Sequence, residues 1–574
     1  MASGATSVHP ARAEPRRAQL TVASLGVLLA AADTYVVVLA LPDIMTGVGL
    51  GVDALARATP IVTAFLLGYV VVLPLIGRLC DLHGRIPVLL GCLAVFAVGS
   101  LFTASAADLG QVVAGRALQG IGAGGLVPAT LALVADLWPP QRRGLPLGVV
   151  GAVQEVGTVL GPLYGGAVLA VSGWRTIFWV NLGGAVVLAL ALIPLRPAKP
   201  LRPPTAGTVL ASLALTGLVL TVTAPTVLTS HVSLGLVYLP TIADAAWSTP
   251  IAIGTSTLTF AVAMLPAVRA SASRLVRAAD LLGAALIGLA LTGIVLSFAT
   301  ADPSRQAVAD QAPWLLVGSA ACTALFLMRQ RRAAHPLVPR GSLNERSAWG
   351  ALTVNFFVGA ALVAALVNVP IFARATDYPG AQLGASLVLV RLLVALPVGA
   401  VLGGWLCTRL PPRAVATAGM GLAVIGFAAM AQWDSQALER PASTLALLAT
   451  GLGFGLAIAP VNQALLNGTR PDVHGVASAL VVLARTVGML VGLSALTAVG
   501  LRVFYAKQRE IGSALTLCPT SPGDCPRYEA ATAAALLDEL HAIFWGAGLC
   551  AAIAALLALT LLTPARGVTA ASQG

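Results

Sequence analysis

The sequence predicts an all-α polytopic membrane protein: two six-helix bundles with central linker helices between them, sixteen spans in all, and both termini cytoplasmic. Three observations carry that prediction. Of 574 residues, 58% are hydrophobic and only 10% charged, whereas a soluble chain carries about 25% charged residues. The apolar residues fall in runs of about 20 or more, each able to cross about 30 Å of hydrocarbon as a helix. The Lys and Arg residues sort by loop, with 22 on the side of the N-terminus, 9 on the other and three inside spans. By the positive-inside rule the richer side is cytoplasmic.

The cytoplasmic arm, residues 1–19, carries Arg12, Arg16 and Arg17. It resembles the basic region of a signal peptide, but the apolar run behind it continues far past a cleavable core, so it reads as a retained first helix. The first bundle, 20–205, takes six spans at about 20–42, 58–78, 86–106, 111–135, 145–171 and 177–195. It closes on a basic, Pro-rich break from Arg196 to Pro204. The linker region, 206–333, adds candidates at about 206–228, 247–268, 280–300 and 313–328, of which 247–268 is the weakest because it is rich in Ser and Thr. If it does not cross, neither does 206–228, since an odd count would carry Arg269, Arg274 and Arg277 to the wrong face; fourteen spans is the alternative. The second bundle, 334–565, takes spans at about 348–371, 383–406, 413–432, 442–466, 475–501 and 530–562. A tail, 566–574, follows.

The last two spans are too long for a bilayer. Arg502, Lys507, Arg509, Glu529, Asp538 and Glu539 continue their pattern, and charge in hydrocarbon is expensive, so an amphipathic extension outside the membrane is expected, with a plain polar loop as the alternative. Within that loop Cys518 and Cys525 bracket the turn CPTSPGDC. On the external face disulfides persist, so a bridge is expected there. The remaining cysteines show no CxxC pair and no His spacing for zinc, and no metal is expected. The net charge of +12 lacks the clustering and interleaved aromatics of a nucleic-acid surface, so no nucleic-acid partner is expected.

The halves repeat. GRLCDLHGR after the second span has a counterpart, GWLCTRLPPR, after the second span of the second set. Similar segments at corresponding positions mark transporter repeats. With these motifs the chain resembles the major facilitator superfamily, and within it the drug/proton antiporter branch with extra central spans. Gly77, Asp81, Gly84 and Arg85 match the signature G-x-L-x-D-x-x-G-R, which implies a conformational latch. Physically, Asp81 can accept from the amides opening the next helix while Arg85 pairs across the cytoplasmic face. Ile86 stands where a second basic residue is common, and Thr408 replaces the acid in the second half, so a latch there is expected to be weaker.

RALQGIGAGG places Arg116 and Gln119 in the fourth span, similar to a pattern in which an intramembrane Arg assists proton handling. GTVLGPLYGG supplies Gly157, Gly161, Pro162, Gly165 and Gly166, a full match to the exporter motif G-x-x-x-G-P-x-x-G-G. Glycines four apart permit close helix contact, and Pro162 frees a backbone carbonyl. WRTIFWVN, with Trp174, Arg175, Phe178, Trp179 and Asn181, also resembles the branch, and an interfacial aromatic anchor accounts for most of it.

Five charges lie inside spans: Asp33, Arg116, Glu155, Arg391 and Arg485. Each costs roughly 2.5 to 3.5 kcal/mol at a helix centre if uncompensated. Asp33, in DTYVVVLALP, lies roughly 20 Å deep by helix rise, and Glu155 and Arg485 roughly 15 Å in from their cytoplasmic ends. These three could therefore meet at one level. Asp33 is expected to carry the coupling proton, Glu155 with Arg485 to form a conformation-dependent lock, Arg391 to sit at the central cavity or glue helices, and Arg116 to assist or be structural.

The stretches DTYVVV, QEVGTVLGPLYG, LLVALPVGAVLGGW and HGVASALVVLARTVGMLVG resemble the actinobacterial triacylglyceride exporters that work with an external lipid-carrying lipoprotein. That resemblance implies a plasma-membrane, proton-coupled exporter of glycerolipid, driven by the proton gradient without a cofactor. Its implied partners are a lipid or drug-like small molecule, the lipoprotein and membrane lipids, and it is expected to be monomeric. The insertion at 206–268 departs from the group. A multidrug/proton antiporter is the alternative, and a membrane-embedded lipid-modifying enzyme the alternative of another class. The six histidines are scattered singly and read as solvated loop residues, His474 and His541 among them. No GxxxxGK[ST] loop is present, which disfavours ATP-driven transport.

Overall fold

The computed structural model describes residues 13–50, 55–196, 206–224, 226–241, 248–265, 279–299, 309, 311–378, 382–518 and 525–562. The Pro-rich break after Arg196, the residues Arg269, Arg274 and Arg277, the interior of the CPTSPGDC turn and the tail 566–574 lie outside the described residues. Every element of ten or more residues among those described is a helix. The first bundle comprises α1 (Ala13–Gly47), α2 (Leu55–His83), α3 (Arg85–Ala104), α4 (Leu109–Leu137), α5 (Gly144–Val171) and α6 (Arg175–Leu192). The linker region holds α7 (Ala206–Thr223), α8 (Pro250–Met264), α9 (Leu281–Ala299) and α10 (Ala312–Arg332). The second bundle comprises α11 (Arg346–Ala375), α12 (Gln382–Leu406), α13 (Pro412–Met430), α14 (Pro441–Asn467), α15 (His474–Ile511) and α16 (Pro526–Leu561).

These segments are apolar around most of their circumference, so lipid or a neighbouring helix must cover every face. Helices are the form that satisfies their backbone in hydrocarbon. Local chemistry sets the ends. Asp108 caps α4 by accepting from the Gln111 amide at 2.9 Å, and Gly84, at φ +87°, makes the turn between α2 and α3 that a side chain would strain.

Packing repeats between the bundles. In the first, α4 packs on α2 and α3, and α1 on α5; in the second, α14 packs on α12 and α13, and α11 on α15. The linker breaks this symmetry. Helix α9 lies against α2 and reaches α15, burying Leu291 and Val295 beside Val70, while Gly288 meets the Val71 side chain. Helix α10 packs on α9. Among the described residues, one seam between the bundles is thus covered by linker helices, while at the other α5 packs on α12 without such a cover.

Fourteen helices among the described residues are long and apolar enough to cross a membrane. Residues 206–228 and 247–268, expected to complete sixteen, form shorter apolar stretches, Leu213–Thr223 and Pro250–Val262. Helix α7 stops where Ala224 adopts φ +37°, and it packs on α8, with Gly217 seated against the Thr255 hydroxyl. Helices α15 and α16 run for 38 and 36 residues, about 57 and 54 Å at 1.5 Å per residue, against about 30 Å of hydrocarbon. The helical extension, not the plain loop, is what forms. Cys518 and Cys525 are disulfide-bonded where the two extensions meet, with Cα atoms 5.8 Å apart.

Candidate functional site

Four of the five intramembrane charges resolve into two separate pairs. Asp33 is 1% exposed. Its Oδ2 accepts from Arg116 Nη1 at 2.6 Å, and its Oδ1 accepts from Asn181 Nδ2 at 2.6 Å and from Gln119 Nε2 at 3.4 Å. Arg116 also donates to Gln119 Oε1 at 3.0 Å, and Gln119 donates to Ser100 at 3.0 Å. The Arg116 guanidinium stacks 4.3 Å from the Phe65 ring centroid. Glycines make this possible: a Cβ at Gly115 would lie 2.3 Å from the Thr103 hydroxyl, and one at Gly120 would lie 2.1 Å from the Phe65 carbonyl oxygen. So α4 settles backbone-close against α2 and α3, and Arg116 is neutralised where water does not reach.

The expectation that Asp33 meets Glu155 and Arg485 at one level is corrected here. Asp33 is enclosed within the first bundle, while Arg485 Nη2 donates to Glu155 Oε1 across the bundles, from α15 to α5, at 2.8 Å. Both line a cavity of about 400 Å³ between the bundles. Its wall is chiefly apolar, including Leu66, Val127, Leu362 and Leu393, with Tyr35, Gln154, Asn355 and Asn462 as polar points. Asn355 donates to the Val481 carbonyl at 2.7 Å, and Gly359 lies against the Arg485 backbone, where a Cβ would come within 2.2 Å of its carbonyl oxygen. The stretch of α15 bearing the Arg is therefore held against α11.

The exporter motif packs α5 on α1 within the first bundle. A Cβ on Gly157 would lie 2.8 Å from Ala31 Cβ, on Gly161 2.5 Å from the Ala32 carbonyl oxygen, and on Gly165 2.4 Å from Val36 Cγ2. Gly166 meets Leu39 at an ordinary 3.5 Å, and Pro162 lines the cavity. The α1 segment that bears Asp33 is thus in direct contact with the α5 segment below which Glu155 lies. Arg391 is not among the residues of the cavity wall: it donates to Thr444 Oγ1 at 2.9 Å, tying α12 to α14 inside the second bundle.

Below the cavity the end bearing the basic loops, expected to be cytoplasmic, is held shut. Asp81 accepts from the amides of Gly475 and Val476 at 2.7 and 3.0 Å and from Arg85 at 2.9 Å. Those amides open α15 of the other bundle, not α3, so the latch joins the bundles, which corrects the expectation of a bond to the next helix. The exposed amides and dipole of a helix N-terminus favour such a carboxylate. Arg85 pairs also with Asp136 at 3.0 Å. Gly77 seats against the turn Gly475–Val476, with Cβ distances of 2.8 Å. At the opposite seam Gly144 and Gly148 meet Gly404 and the Ala400 carbonyl, while Thr408 only bonds its own helix end at Trp405. That seam is therefore closed by backbone contact without an acid.

Sequence reasoning missed further buried polar contacts, two of them between the bundles. Arg143, between the fourth and fifth spans, donates to the Leu466 carbonyl at 3.3 Å and Asn467 Oδ1 at 3.1 Å. Burial pulls its guanidinium below the usual value, and Asp136 opposes that. Gln463 donates to the Pro140 carbonyl at 3.2 Å. His474, expected to be solvated, is 2% exposed with Nε2 3.0 Å from the Leu466 carbonyl. His541 similarly sits 2.6 Å from the Trp433 carbonyl. For Arg143 and His474 the available signal was a polar residue just ahead of a span's first apolar run.

Comparison with known proteins follows from this geometry. The model of the Major Facilitator Superfamily matches residues 23–330 and 252–493. A triacylglyceride transporter of Mycolicibacterium hassiacum is 36% identical over 93% of this chain and 91% of its own. One of Mycobacteroides abscessus is 33% identical over 87% and 86%, and one of Mycobacterium tuberculosis 35% identical over 85% and 83%. Among solved structures, a proton:xylose symporter of this superfamily aligns with a TM-score of 0.54 at 14% identity, covering 95% of each chain. The human organic anion transporter MFSD10 aligns at 0.52 and 17% identity, covering 95% of this chain and 99% of that one. At such identities these two speak for the fold alone.

Proposed function

The chain belongs to the Major Facilitator Superfamily, and from that premise we propose that it is a proton-coupled secondary transporter that exports hydrophobic or amphipathic molecules by alternating access, glycerolipid of the triacylglyceride kind foremost. The family and the names of the relatives are those of transporters rather than enzymes. The observation that carries the reading is an apolar cavity walled by both bundles and crossed at its level by the ion pair Glu155 to Arg485.

In this reading Asp33 is the proton carrier. Its carboxylate is held by Arg116, Asn181 and Gln119, and a proton would remove the charge that Arg116 compensates. Loosened from Arg116, α1 would shift against the glycine face of α5, and α5 bears Glu155. Breaking the Glu155–Arg485 lock and the Asp81 latch would let the cytoplasmic end open. The proton gradient supplies the drive and no cofactor takes part. A lipid-carrying lipoprotein outside is the proposed acceptor, and the 36-residue and 38-residue helices project towards it from a monomer.

A second reading, a multidrug/proton antiporter, is favoured by cavity size alone. About 400 Å³ lies within the span of roughly 300–1,000 Å³ typical of drug-sized pockets, so in this closed state an intact triacylglyceride would need room beyond the cavity. Movement of fluorescent triacylglyceride and of a cationic dye in oriented proteoliposomes, with and without an imposed pH gradient, separates the two. Asp33→Asn should abolish gradient-driven movement of the true substrate while the protein stays folded; uphill export by that variant would remove Asp33 from the mechanism.

A further inference from the structure

A second cavity, of about 320 Å³, opens at the cytoplasmic end where both bundles and the linker meet. Arg78 reaches it from α2, His335 and Arg340 from the turn after α10, and Asp472 from the segment leading into α15. The one acid among its described lining residues is already matched: both Asp472 oxygens accept from Arg470, at 3.1 and 2.8 Å. Arg340 is held by neutral acceptors, donating to the carbonyls of Arg331 and Ala333, so its guanidinium is oriented without losing its charge. Gln330 donates to the Val338 carbonyl, and Leu337 is buried, which pins the turn that presents His335 and Arg340. Arg331 and Arg332, both exposed, end α10 just before that turn.

We propose that this cleft binds a phosphate group, supplied by the headgroup of an anionic phospholipid in the cytoplasmic leaflet, and that the bound phosphate clamps the two bundles in the cytoplasm-closed state. A basic cleft among the cytoplasmic ends of membrane helices is the chemistry that takes such headgroups, and guanidinium–phosphate hydrogen bonds are charge-assisted. The clamp follows from position. Arg78 lies three residues before Asp81, and Asp472 three before Gly475, the two partners of the latch. A phosphate held between Arg78 and Arg340 would tie α2 of the first bundle, beside the latch, to the segment that leads into α11 of the second. The site is separate from the transport cavity, so it stands whether the cargo is lipid or drug.

The test uses the full chain and the double variant His335→Gln/Arg340→Gln, whose altered side chains are exposed. Native mass spectrometry after delipidation would compare retention of added phosphatidylglycerol and phosphatidylcholine, with inorganic phosphate as a separate competitor. The expected result is one phosphatidylglycerol per chain, preferred about tenfold over phosphatidylcholine and lost in the variant, as removal of charge-assisted bonds implies. Binding of inorganic phosphate in place of lipid, again lost in the variant, would uphold the phosphate site and assign it a soluble source. Equal retention of both lipids by both proteins, with no effect of phosphate, would overturn the site. Energy transfer between fluorophores on the cytoplasmic ends of the two bundles, in nanodiscs, tests the clamp: phosphatidylglycerol should raise the closed population of the native chain and not of the variant, and an unchanged population in both would overturn it.

Discussion

Replacing Glu155 by Gln should release the cytoplasmic gate by about thirtyfold. The pair it forms with Arg485 spans the bundles at 2.8 Å, with the side chains 5% and 18% exposed. Charge centres about 4 Å apart interact by about 4 kcal/mol at an effective dielectric of 20 and about 1 kcal/mol in bulk water. Since both groups line a cavity, about 2 kcal/mol is the fitting magnitude. Gln keeps an oxygen that can accept from Arg485, so the variant removes chiefly this Coulombic part. If the open state hydrates both charges, about 2 kcal/mol lowers the closed-to-open ratio about thirtyfold, at 1.36 kcal/mol per decade. Spin labels on Gln141 and Leu410, exposed loop residues of opposite bundles, would report the shift as a growing long-distance population in pulsed EPR. Adding Arg485→Gln should produce little further opening, because its partner is already gone. An unchanged distance distribution, or fully additive effects of the two substitutions, would refute the lock.

The Asp81→Asn variant loses the charge behind two amide bonds to α15 and the pair with Arg85; at about 2 kcal/mol for charged hydrogen bonds, the same EPR measurement should show opening comparable to that of Glu155→Gln. Gly148→Leu would place a Cβ 2.4 Å from the Ala400 carbonyl oxygen of the other bundle, so the closed population should fall while helicity by circular dichroism stays native. Replacing Cys518 and Cys525 by Ser frees a loop with sequence separation 7, a constraint of about 2 kcal/mol in the chain-entropy account; limited proteolysis should cut the external tip faster, and the thermal transition of the bundles should not move.

The helices and the charged residues were legible because each is an exception to its surroundings. An apolar run needs no context to be read as a span, and Asp33, Glu155 and Arg485 stand out inside such runs. Their partners were not legible. Arg116 and Asn181 reach Asp33 from 83 and 148 residues away, and Arg485 reaches Glu155 across 330. Depth along each helix, the one coordinate that counting supplies, placed Asp33 near the lock but not the face on which it points. Faces are hidden in these spans because lipid and helix neighbours both demand apolar side chains. For the same reason the cavity wall could not be read in advance. At the cytoplasmic end the error ran the other way: Arg143 and His474 sit where loops are expected, and their burial depends on the second bundle closing over the first.

Covering one seam and not the other gives the molecule a front and a back within the membrane plane. On the covered flank a lipid meets the outer faces of the linker helices, with Trp314 and Val317 of α10 exposed to it. On the bare flank it touches the transporting bundles themselves, at Leu160 and Leu163 of α5 and at Val398 and Leu402 of α12. Pro162 and Leu393 of these same two helices also form part of the interior wall. Among the described residues, a molecule moving sideways between bilayer and interior would thus meet one layer of helices on one flank and two on the other. Any lateral traffic would therefore distinguish the two flanks, although the bundles repeat one another.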